Sequence, residues 1–246
     1  MSDNPRVMLI AAPASTGKTH SLYKMANDPG VAYLNTDMKD LPFKVPSGGM
    51  KCLQINDAKI APQAMADLEE NYSDVHTVIL DTVTFLMNQY ESQYVTGDTR
   101  GFGAAWTEYA QFYNTFMHHI KSSKKNYIVL AHTNTEYRED EEAMETKVPI
   151  KGSVGKIGAE ADYNIVLSAR KVTTATLHPY LVPENKLLSL TDREERLGFK
   201  YVFQTDLTKE TLSEKIRSPM GLWSDEELYI NNDINLLTER LQQYYS

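Results

Sequence analysis

The feature that most constrains this chain is an apolar segment, residues 7–12, that runs directly into a short Gly-Lys-Thr turn. The residues between them, 13–16, are small, and small side chains let successive backbone N–H groups curl around an anion. A helix that begins here adds the positive end of its dipole. Lys18 and Thr19 occupy the positions at which a P-loop has its phosphate-binding ammonium and its Mg²⁺-binding hydroxyl, and Ala12 replaces the usual first glycine. The pattern therefore predicts a nucleoside triphosphate site.

A second part of this predicted site comes from a later strand. Residues 75–81 form an apolar run that ends in an acid, which is typical of a parallel strand buried on both faces. Next to a P-loop, such an acid orients the metal ion, although a strand that simply meets a turn is the alternative. We therefore predict that Asp81 and Thr19 bind Mg²⁺. Phosphate contacts are predicted for the whole turn, namely Pro13, Ala14, Ser15, Thr16, Gly17, Lys18, Thr19 and His20.

Composition limits the class of protein. Of the 246 residues, 41% are hydrophobic and 24% are charged, as in an ordinary globular protein. A single cysteine, Cys52, excludes an internal disulfide and a Cys-based zinc site. The net charge of −8 argues against a generally basic nucleic-acid-binding surface but allows a local basic groove. No apolar run approaches the ~18 residues of a membrane span, and no signal-peptide pattern is present, so we expect a cytoplasmic protein without a membrane partner.

The order of elements predicts an α/β fold, with a mostly parallel central sheet flanked by helices and a late antiparallel strand pair. That pair is expected at residues 199–205 and 211–217, which alternate in polarity. We expect residues 1–222 to form the core and residues 223–246 to form a helical tail that belongs to the same domain or contacts another protomer. The aromatic-rich stretch 105–121 has helical spacing, which favours core packing over base stacking.

Two later stretches show no clear periodicity. Residues 135–159 are expected to form a long loop of functional importance, and residues 179–198 are expected to form a surface excursion. His132 ends the buried strand before the first of these stretches, where many P-loop ATPases place a polar residue facing the γ-phosphate. His132 is therefore a candidate sensor, with a purely structural histidine as the alternative.

Over roughly residues 6–222 the chain resembles the RecA-like P-loop ATPases. The resemblance points most of all to the small phage-encoded RecA-like proteins that promote single-strand annealing and recombination, and less to the replicative ring helicase core and the KaiC-like ATPases. It implies ATP and Mg²⁺ as cofactors and a nucleotide shared between subunits of a ring or filament. It also implies single-stranded DNA as a ligand, a single-strand binding protein as a candidate partner, and the host cytoplasm as the location if a phage encodes the chain.

The resemblance also assigns catalytic residues besides Lys18 and Asp81. The strand that ends in Asp37 resembles the recombinase strand whose final Glu activates water; Asp is one methylene shorter, which is compatible with slow hydrolysis. His132 stands where relatives carry a γ-phosphate sensor. Lys215 and Arg217 resemble a Lys-x-Arg motif whose cations reach the neighbouring subunit's nucleotide, and a solvated strand face is the alternative.

By the same resemblance, residues 94–104 and 134–158 correspond to DNA-facing loops. The residues that this implies for phosphate or base contact are Arg100, Phe102, Arg138, Lys147, Lys151 and Lys156. An acidic run, residues 139–142, would repel a phosphate backbone. Three alternatives remain at this stage. An ATP-driven ring motor or helicase loader would use the same nucleotide-binding residues. A KaiC-like switch would bind ATP without DNA. A small-molecule kinase would close an Arg-bearing lid over its own site.

Overall fold

An eight-stranded sheet forms the centre of the computed structural model, which describes residues 7–100 and 103–246. The strands in chain order are β1 (Val7–Ala12), β2 (Val31–Asn35), β3 (Lys51–Gln54), β4 (Thr77–Asp81), β5 (Asn126–His132), β6 (Asn134–Arg138), β7 (Ala143–Lys147), β8 (Ile165–Thr173), β9 (Phe199–Gln204) and β10 (Tyr229–Asn231). Their order across the sheet is β10-β9-β8-β1-β5-β4-β2-β3, while β6 and β7 form a separate hairpin. The predicted α/β fold is confirmed.

Helices cover both faces of this sheet. The α-helices are α1 (Ile60–Asn71), α2 (Val83–Tyr90), α3 (Ala104–Ser122), α4 (Gly152–Ile157), α5 (Thr174–Leu177), α6 (Asp192–Leu197) and α7 (Ile234–Tyr245). The helix that follows the P-loop, Thr19–Asn27, has 3₁₀ geometry, and α2 continues into a π-helical turn at Glu91–Val95. Because six adjacent strands, from β8 across to β3, run parallel, their carboxyl ends share one edge of the sheet.

The core lies on the two faces of β1, whose side chains alternate between them. Leu9 packs with α1, α2 and α3 on one face. Ile10 packs on the other face with Leu22 of the 3₁₀ helix and with Leu237 and Leu241 of α7. Since helices cover both faces of the sheet at β1, its residues are apolar throughout, which explains the uninterrupted apolar run in the sequence.

The late antiparallel pairing is present, but one predicted strand is wrong. β9 pairs antiparallel with β8 on one side and with β10 on the other. Residues 211–217 form a single bridge, between Arg217 and Val166. The Thr211 hydroxyl accepts the Thr208 N–H at 2.9 Å and the Gln204 side chain at 2.9 Å, which folds the start of this segment into a turn.

The two stretches without periodicity contain regular structure. Residues 135–159 include the β6–β7 hairpin and α4, so the predicted loop is wrong. Most of the hairpin's side chains are exposed, so its two faces do not differ enough in polarity to produce an alternating pattern. Residues 179–198 include α6, which begins at a capping box formed by Thr191 and Glu194.

Among the described residues, no helix has both the length and the hydropathy needed to span a bilayer.

The packing of α7 predicts that the C-terminal helix contributes to global stability. Leu237 is 1% exposed and packs in the core on the face of the sheet that is covered by the 3₁₀ helix. We expect Leu237→Ala to lower the free energy of unfolding by about 2–5 kcal/mol, because the substitution removes buried methyl groups and leaves a cavity. Chemical denaturation would measure this change. Gln242→Ala on the exposed face of α7 is the matched control, and an unchanged midpoint for Leu237→Ala would show that the tail folds apart from the core.

Candidate functional site

Three neighbouring strands deliver the predicted site residues to one point. β5 lies between β1 and β4, and in the register Ala12 pairs with His132 while Asp81 pairs with Leu130. All three strands are parallel, so the turn after β1, His132 at the end of β5 and Asp81 at the end of β4 meet at the carboxyl edge of the sheet. This is the edge at which open α/β sheets bind their ligands.

The turn after β1 adopts the tightly curled backbone that its small residues allow. Gly17 has φ +90° and Ser15 has φ +63°, both in the left-handed region. The glycine is required for space as well, because a Cβ at Gly17 would lie 2.7 Å from the Asn232 amide nitrogen and 3.3 Å from the Tyr201 ring. The Asn232 side chain donates a hydrogen bond to the Gly17 carbonyl at 2.9 Å. The segment after β10 therefore fixes the P-loop from the far side of the sheet.

Lys18 is held inside this turn. Its ammonium donates to the carbonyls of Ala12 at 2.8 Å and Pro13 at 2.7 Å, and it lies 3.5 Å from His132 Nδ1. Burial lowers the pKa of Lys18 to about 8, and the nearby Asp81 carboxylate opposes this shift. The side chain therefore carries its charge at neutral pH and can exchange carbonyl partners for phosphate oxygens.

Asp81 connects the turn to two strands. Its Oδ2 accepts a hydrogen bond from the Thr19 hydroxyl at 2.7 Å and another from the Tyr33 hydroxyl at 2.9 Å. Burial raises the pKa of Asp81, and these two hydrogen bonds oppose the rise. Burial beside this carboxylate also raises the pKa of Tyr33, so Tyr33 remains a donor. No sequence motif identified Tyr33, because a tyrosine in an apolar strand is usually a core residue.

The residues that could hold a metal ion are Thr19 and Asp81. A hydroxyl and a carboxylate are hard oxygen ligands, which suit Mg²⁺ when phosphate and water complete its coordination. Within residues 7–100 and 103–246, no group of three or more His, Cys, Asp or Glu side chains could bind a metal by itself. The donor set therefore fits a metal that is bound together with a nucleotide rather than one held by the protein alone.

His132 is neutral in this position. Burial lowers the pKa of His132 to about 4, and the cations Lys18 and Lys39 lower it further. Since Nδ1 faces the Lys18 ammonium, we assign Nδ1 as the acceptor and place the ring proton on Nε2. The imidazole packs edge-on against Phe85, and the backbone N–H of His132 donates to the Thr84 hydroxyl at 3.0 Å. The ring is therefore fixed beside the phosphate-binding lysine.

Asp37 faces the same cleft from the end of β2. Its Oδ1 accepts the Lys39 N–H at 2.9 Å, and its Oδ2 lies 3.4 Å from the Lys39 ammonium. These contacts orient a carboxylate that lines the cleft together with Asp81 and His132. The structure thus brings together Lys18, Thr19, Asp37, Asp81 and His132.

The cleft has a second wall that the sequence analysis missed. The cleft encloses about 760 Å³, and its far side is formed by α6 and the start of β9. The lining residues there are Thr191, Arg193, Glu194, Leu197, Phe199, Lys200 and Tyr201. Residues 179–198 are therefore more than a surface excursion. The capping pattern Thr191 to Glu194 was a local signal for α6, but no local pattern places that helix opposite the P-loop.

Lys215 and Arg217 lie elsewhere. Neither belongs to the described residues that line this cleft. The Lys215 ammonium pairs with Glu145 at 2.9 Å. The Arg217 guanidinium donates to the carbonyl of Tyr163 at 3.0 Å and to the carbonyl of Glu160. Their predicted action on a neighbouring subunit's nucleotide stays a prediction.

The candidate DNA-binding cations are spread over the surface, and most form ion pairs. Arg138, Lys147 and Lys156 line a shallow depression together with Lys215 and Arg217. Phe102 lies outside the described residues. The observed pairs are Arg100 with Asp98 and Glu108, Arg138 with Asp140, Glu141 and Glu145, Lys147 with Glu136 and Glu145, and Lys151 with Glu91. A phosphate backbone would have to replace these carboxylates.

The burial of the Lys18 ammonium predicts a conflict between stability and nucleotide binding. We expect Lys18→Met to stabilise the nucleotide-free protein by about 1–3 kcal/mol at pH 7, because it removes a poorly solvated charge. In the variant, the two carbonyls that accept hydrogen bonds from Lys18 would still have other hydrogen-bond donors. The Thr133 N–H lies 3.2 Å from the Ala12 carbonyl, and the Thr16 hydroxyl lies 2.9 Å from the Pro13 carbonyl. Thermal unfolding with and without MgATP would test this, and only the wild type should gain stability from nucleotide.

The pH dependence of this difference has a defined sign. The pKa of Lys18 is about 8 in the folded protein, below the ordinary lysine pKa of 10.5 that applies to the unfolded chain. The unfolded chain therefore binds more protons between these values, and the stability of the wild type rises relative to the variant as pH increases through that window. A lower unfolding temperature for Lys18→Met at pH 7, or a difference independent of pH from 8 to 10.5, would contradict the assignment.

Comparison with known proteins agrees with this geometry. The AAA domain matches residues 4–198 of the chain, and no curated protein matches it. The matched region contains the P-loop, Asp37, Asp81 and His132, and it reaches the end of α6. Such a domain binds and hydrolyses nucleotides. Because the match covers well over half of the chain, the protein belongs to the AAA domain family of P-loop ATPases.

Proposed function

We propose that the chain is a Mg²⁺-dependent ATPase that assembles with copies of itself on single-stranded DNA and promotes annealing or homologous recombination. The observation that carries this proposal is a continuous connection between the nucleotide cleft and the β6–β7 hairpin. β5 ends at His132 inside the cleft, and β6 begins at Asn134. Only Thr133 separates His132 in the cleft from the first residue of the hairpin, so a movement of His132 at the γ-phosphate would be transmitted directly to β6.

The other strand of the hairpin is joined to the Lys-x-Arg segment. The Thr146 N–H donates to the Ser213 carbonyl at 2.7 Å, and the Glu145 carboxylate pairs with Lys215 at 2.9 Å. If Lys215 and Arg217 reach the nucleotide of a neighbouring protomer, the hairpin is connected to two nucleotides. β6 connects it through His132 to the nucleotide of its own chain, and β7 connects it through Lys215 to the nucleotide of the neighbour. This arrangement suits a protein in which ATP binding, assembly and DNA binding depend on one another, so the coupling between ATP and DNA would be reciprocal.

Each cleft residue has a role in the proposed hydrolysis. Lys18 would bind the β- and γ-phosphates, and Thr19 and Asp81 would hold Mg²⁺, which neutralises phosphate charge when it is bound. Asp37, oriented by its contacts with Lys39, would align the attacking water. His132, neutral and beside Lys18, would donate a hydrogen bond from Nε2 to a γ-phosphate oxygen, and the loss of this contact on hydrolysis would be transmitted to the hairpin.

The ion pairs on the hairpin fit the DNA-binding part of this proposal. Arg138 pairs with Asp140 at 2.7 Å and with Glu145 at 3.0 Å, and the Asp140 side chain is 65% exposed. Solvent-exposed ion pairs contribute about 0–1 kcal/mol each, so a DNA phosphate can replace the Asp140 partner at little cost, whereas Glu145, only 17% exposed, stays beside Arg138. DNA affinity should then be largely independent of sequence and fall steeply with salt.

The most direct test measures ATP hydrolysis with and without a single-stranded oligonucleotide. We expect DNA to increase the rate several-fold at low salt, with binding that weakens as salt rises. The double variant Arg138→Ala, Lys147→Ala should weaken DNA binding and reduce the salt slope by about two. Lys51→Ala is the matched control, since Lys51 is ion-paired with Asp74 at 2.8 Å on the opposite edge of the sheet.

A second variant tests the connection through His132. We expect His132→Ala to retain MgATP binding, because Lys18, Thr19 and Asp81 remain, and to lose the stimulation of hydrolysis by DNA. Equilibrium binding of labelled ATP, compared with DNA-dependent turnover, separates these effects. If the wild type shows neither DNA binding nor stimulation at low salt, an ATP-dependent switch without DNA replaces the proposed function.

One observation favours a second candidate function. Arg193 on α6 lines the same cleft as Lys18 in the same chain. The acidic neighbours of Arg193 are occupied elsewhere, since Glu194 pairs with Lys200 and Glu195 with His178. Arg193 is therefore the cation of α6 that lines the site. An arginine on a helix opposite the P-loop is the arrangement expected of a phosphotransferase that closes a lid over its own nucleotide and acceptor.

Subunit mixing separates the two candidates. If Arg217 acts on the neighbouring subunit, Arg217→Ala should lower turnover on the order of 10³-fold, and mixing it with Lys18→Ala subunits should restore part of the activity. If Arg193 acts within its own chain, Arg193→Ala should lower turnover, and mixing should restore none. Mass photometry of the mixture verifies co-assembly. Failure to restore Arg217→Ala in verified mixed particles would contradict the action between subunits.

A further inference from the structure

The two walls of the nucleotide cleft differ in chemistry. One wall carries the polar groups of the P-loop with Asp37, Asp81 and His132, and the other is formed by α6 and the first residues of β9. Three apolar or aromatic side chains of this second wall, Leu197, Phe199 and Tyr201, line the cleft. Leu197 is 53% exposed and belongs to none of the core clusters of the described residues, so its side chain is free to contact a ligand in the cleft. The cleft therefore has a phosphate-binding side and an apolar side.

The polar groups of the second wall are largely occupied by one another. Glu194 Oε1 accepts the Lys200 ammonium at 2.5 Å, and Glu194 Oε2 accepts both the N–H and the hydroxyl of Thr191 at 2.8 Å. The Lys200 side chain is only 10% exposed. These groups stabilise the start of α6 and its contact with β9. The remaining surface of the wall, apart from Arg193, is apolar.

The aromatic part of this wall begins beside the phosphate-binding turn. The Tyr201 ring lies so near to Gly17 that a Cβ there would approach it to 3.3 Å. Phe199 lies next along β9 on the same face, with its ring centroid 5.8 Å from that of Tyr201. Lys171 lies over the Phe199 ring at 3.8 Å and supports it from β8. The two rings are edge-to-face, so a nucleotide with its phosphates in the turn would meet an apolar surface built from two perpendicular aromatic rings.

We propose that Leu197, Phe199 and Tyr201 form the nucleobase-binding wall of the site and hold the base by stacking and apolar contact. This rests on the proposed function only in requiring a triphosphate in the P-loop. Stacking and apolar contacts do not distinguish the hydrogen-bonding edges of different bases. The wall therefore contributes equally to binding of adenine and guanine nucleotides.

The test compares a nucleotide with a phosphate chain that has no base. Dissociation constants for MgATP, MgGTP and inorganic tripolyphosphate with Mg²⁺ are measured by calorimetry for the wild type, Leu197→Ala and Tyr201→Ala. Stacking on one aromatic side chain changes affinity by about 5- to 150-fold. We expect Tyr201→Ala to weaken MgATP and MgGTP by the same factor in this range and Leu197→Ala to weaken both by a smaller factor, with tripolyphosphate unchanged.

Two further variants make the result specific. Tyr201→Phe keeps the ring and should retain nucleotide affinity. Tyr72→Ala is the matched control, because Tyr72 is a 38% exposed tyrosine that is not among the described residues lining the cleft. Leu197 is exposed, so its truncation tests the wall even if Tyr201→Ala disturbs the P-loop or fails to fold.

The possible failures are distinguishable. Unchanged MgATP affinity in both alanine variants overturns the nucleobase wall while leaving the proposed function intact. Equal weakening of MgATP and tripolyphosphate overturns it too, because the residues would then act by supporting the P-loop. A loss confined to ATP overturns the apolar recognition of the base. A wild type that binds neither MgATP nor tripolyphosphate overturns the nucleotide site itself, and the proposed function with it.

Discussion

The hydrogen bond between Thr19 and Asp81 joins the parts of the site that the rest of the structure supports. A buried carboxylate is costly unless it is hydrogen-bonded, and here its donors come from the P-loop helix and from Tyr33 of β2. One carboxylate oxygen therefore connects the turn after β1, the end of β4 and the middle of β2. The order of strands makes this geometry possible, because β5 lies between β1 and β4 and ends at His132, whose Nδ1 is 3.5 Å from the Lys18 ammonium.

Two buried ionisable groups of opposite sign share this cleft, and neither is fully compensated. Lys18 has carbonyl partners and a pKa lowered to about 8, while burial raises the pKa of Asp81. Such shifts are typical of sites built for a charged ligand rather than for stability. A polyphosphate with a divalent cation supplies what both groups lack, since the phosphates balance the ammonium and the metal balances the carboxylate.

The connections around the cleft explain why the site and the rest of the chain are interdependent. The sheet extends past β8 to β9 and β10, and Asn232, just after β10, hydrogen-bonds to Gly17 at 2.9 Å. On the other side, the β6–β7 hairpin links His132 to the segment that carries Lys215. Residues far apart in sequence thus contact the P-loop on one side and are connected to His132 on the other. The strands β9 and β10 at the edge of the sheet therefore also support the P-loop at its centre.

The amino-acid sequence by itself determined the parts of this protein whose physics is local. The strand, turn and helix around Lys18, the buried strand that ends in Asp81 and the helical spacing of residues 105–121 all follow from patterns within about twenty residues, and the structure has each element where it was expected. Only the tertiary structure decided that residues 211–217 form no strand, that the 135–159 stretch forms a hairpin and a helix, and that α6 closes the cleft. It also decided that Tyr33 binds Asp81. The placement of α6 against the cleft and the contact of Tyr33 depend on partners distant in the chain, such as Tyr201 for Gly17 and Asp81 for Tyr33, and no local pattern of residues encodes such a partner. The turn at residues 208–211 and the β6–β7 hairpin are made by nearby residues, but their polarity does not alternate in a way that the sequence pattern could show.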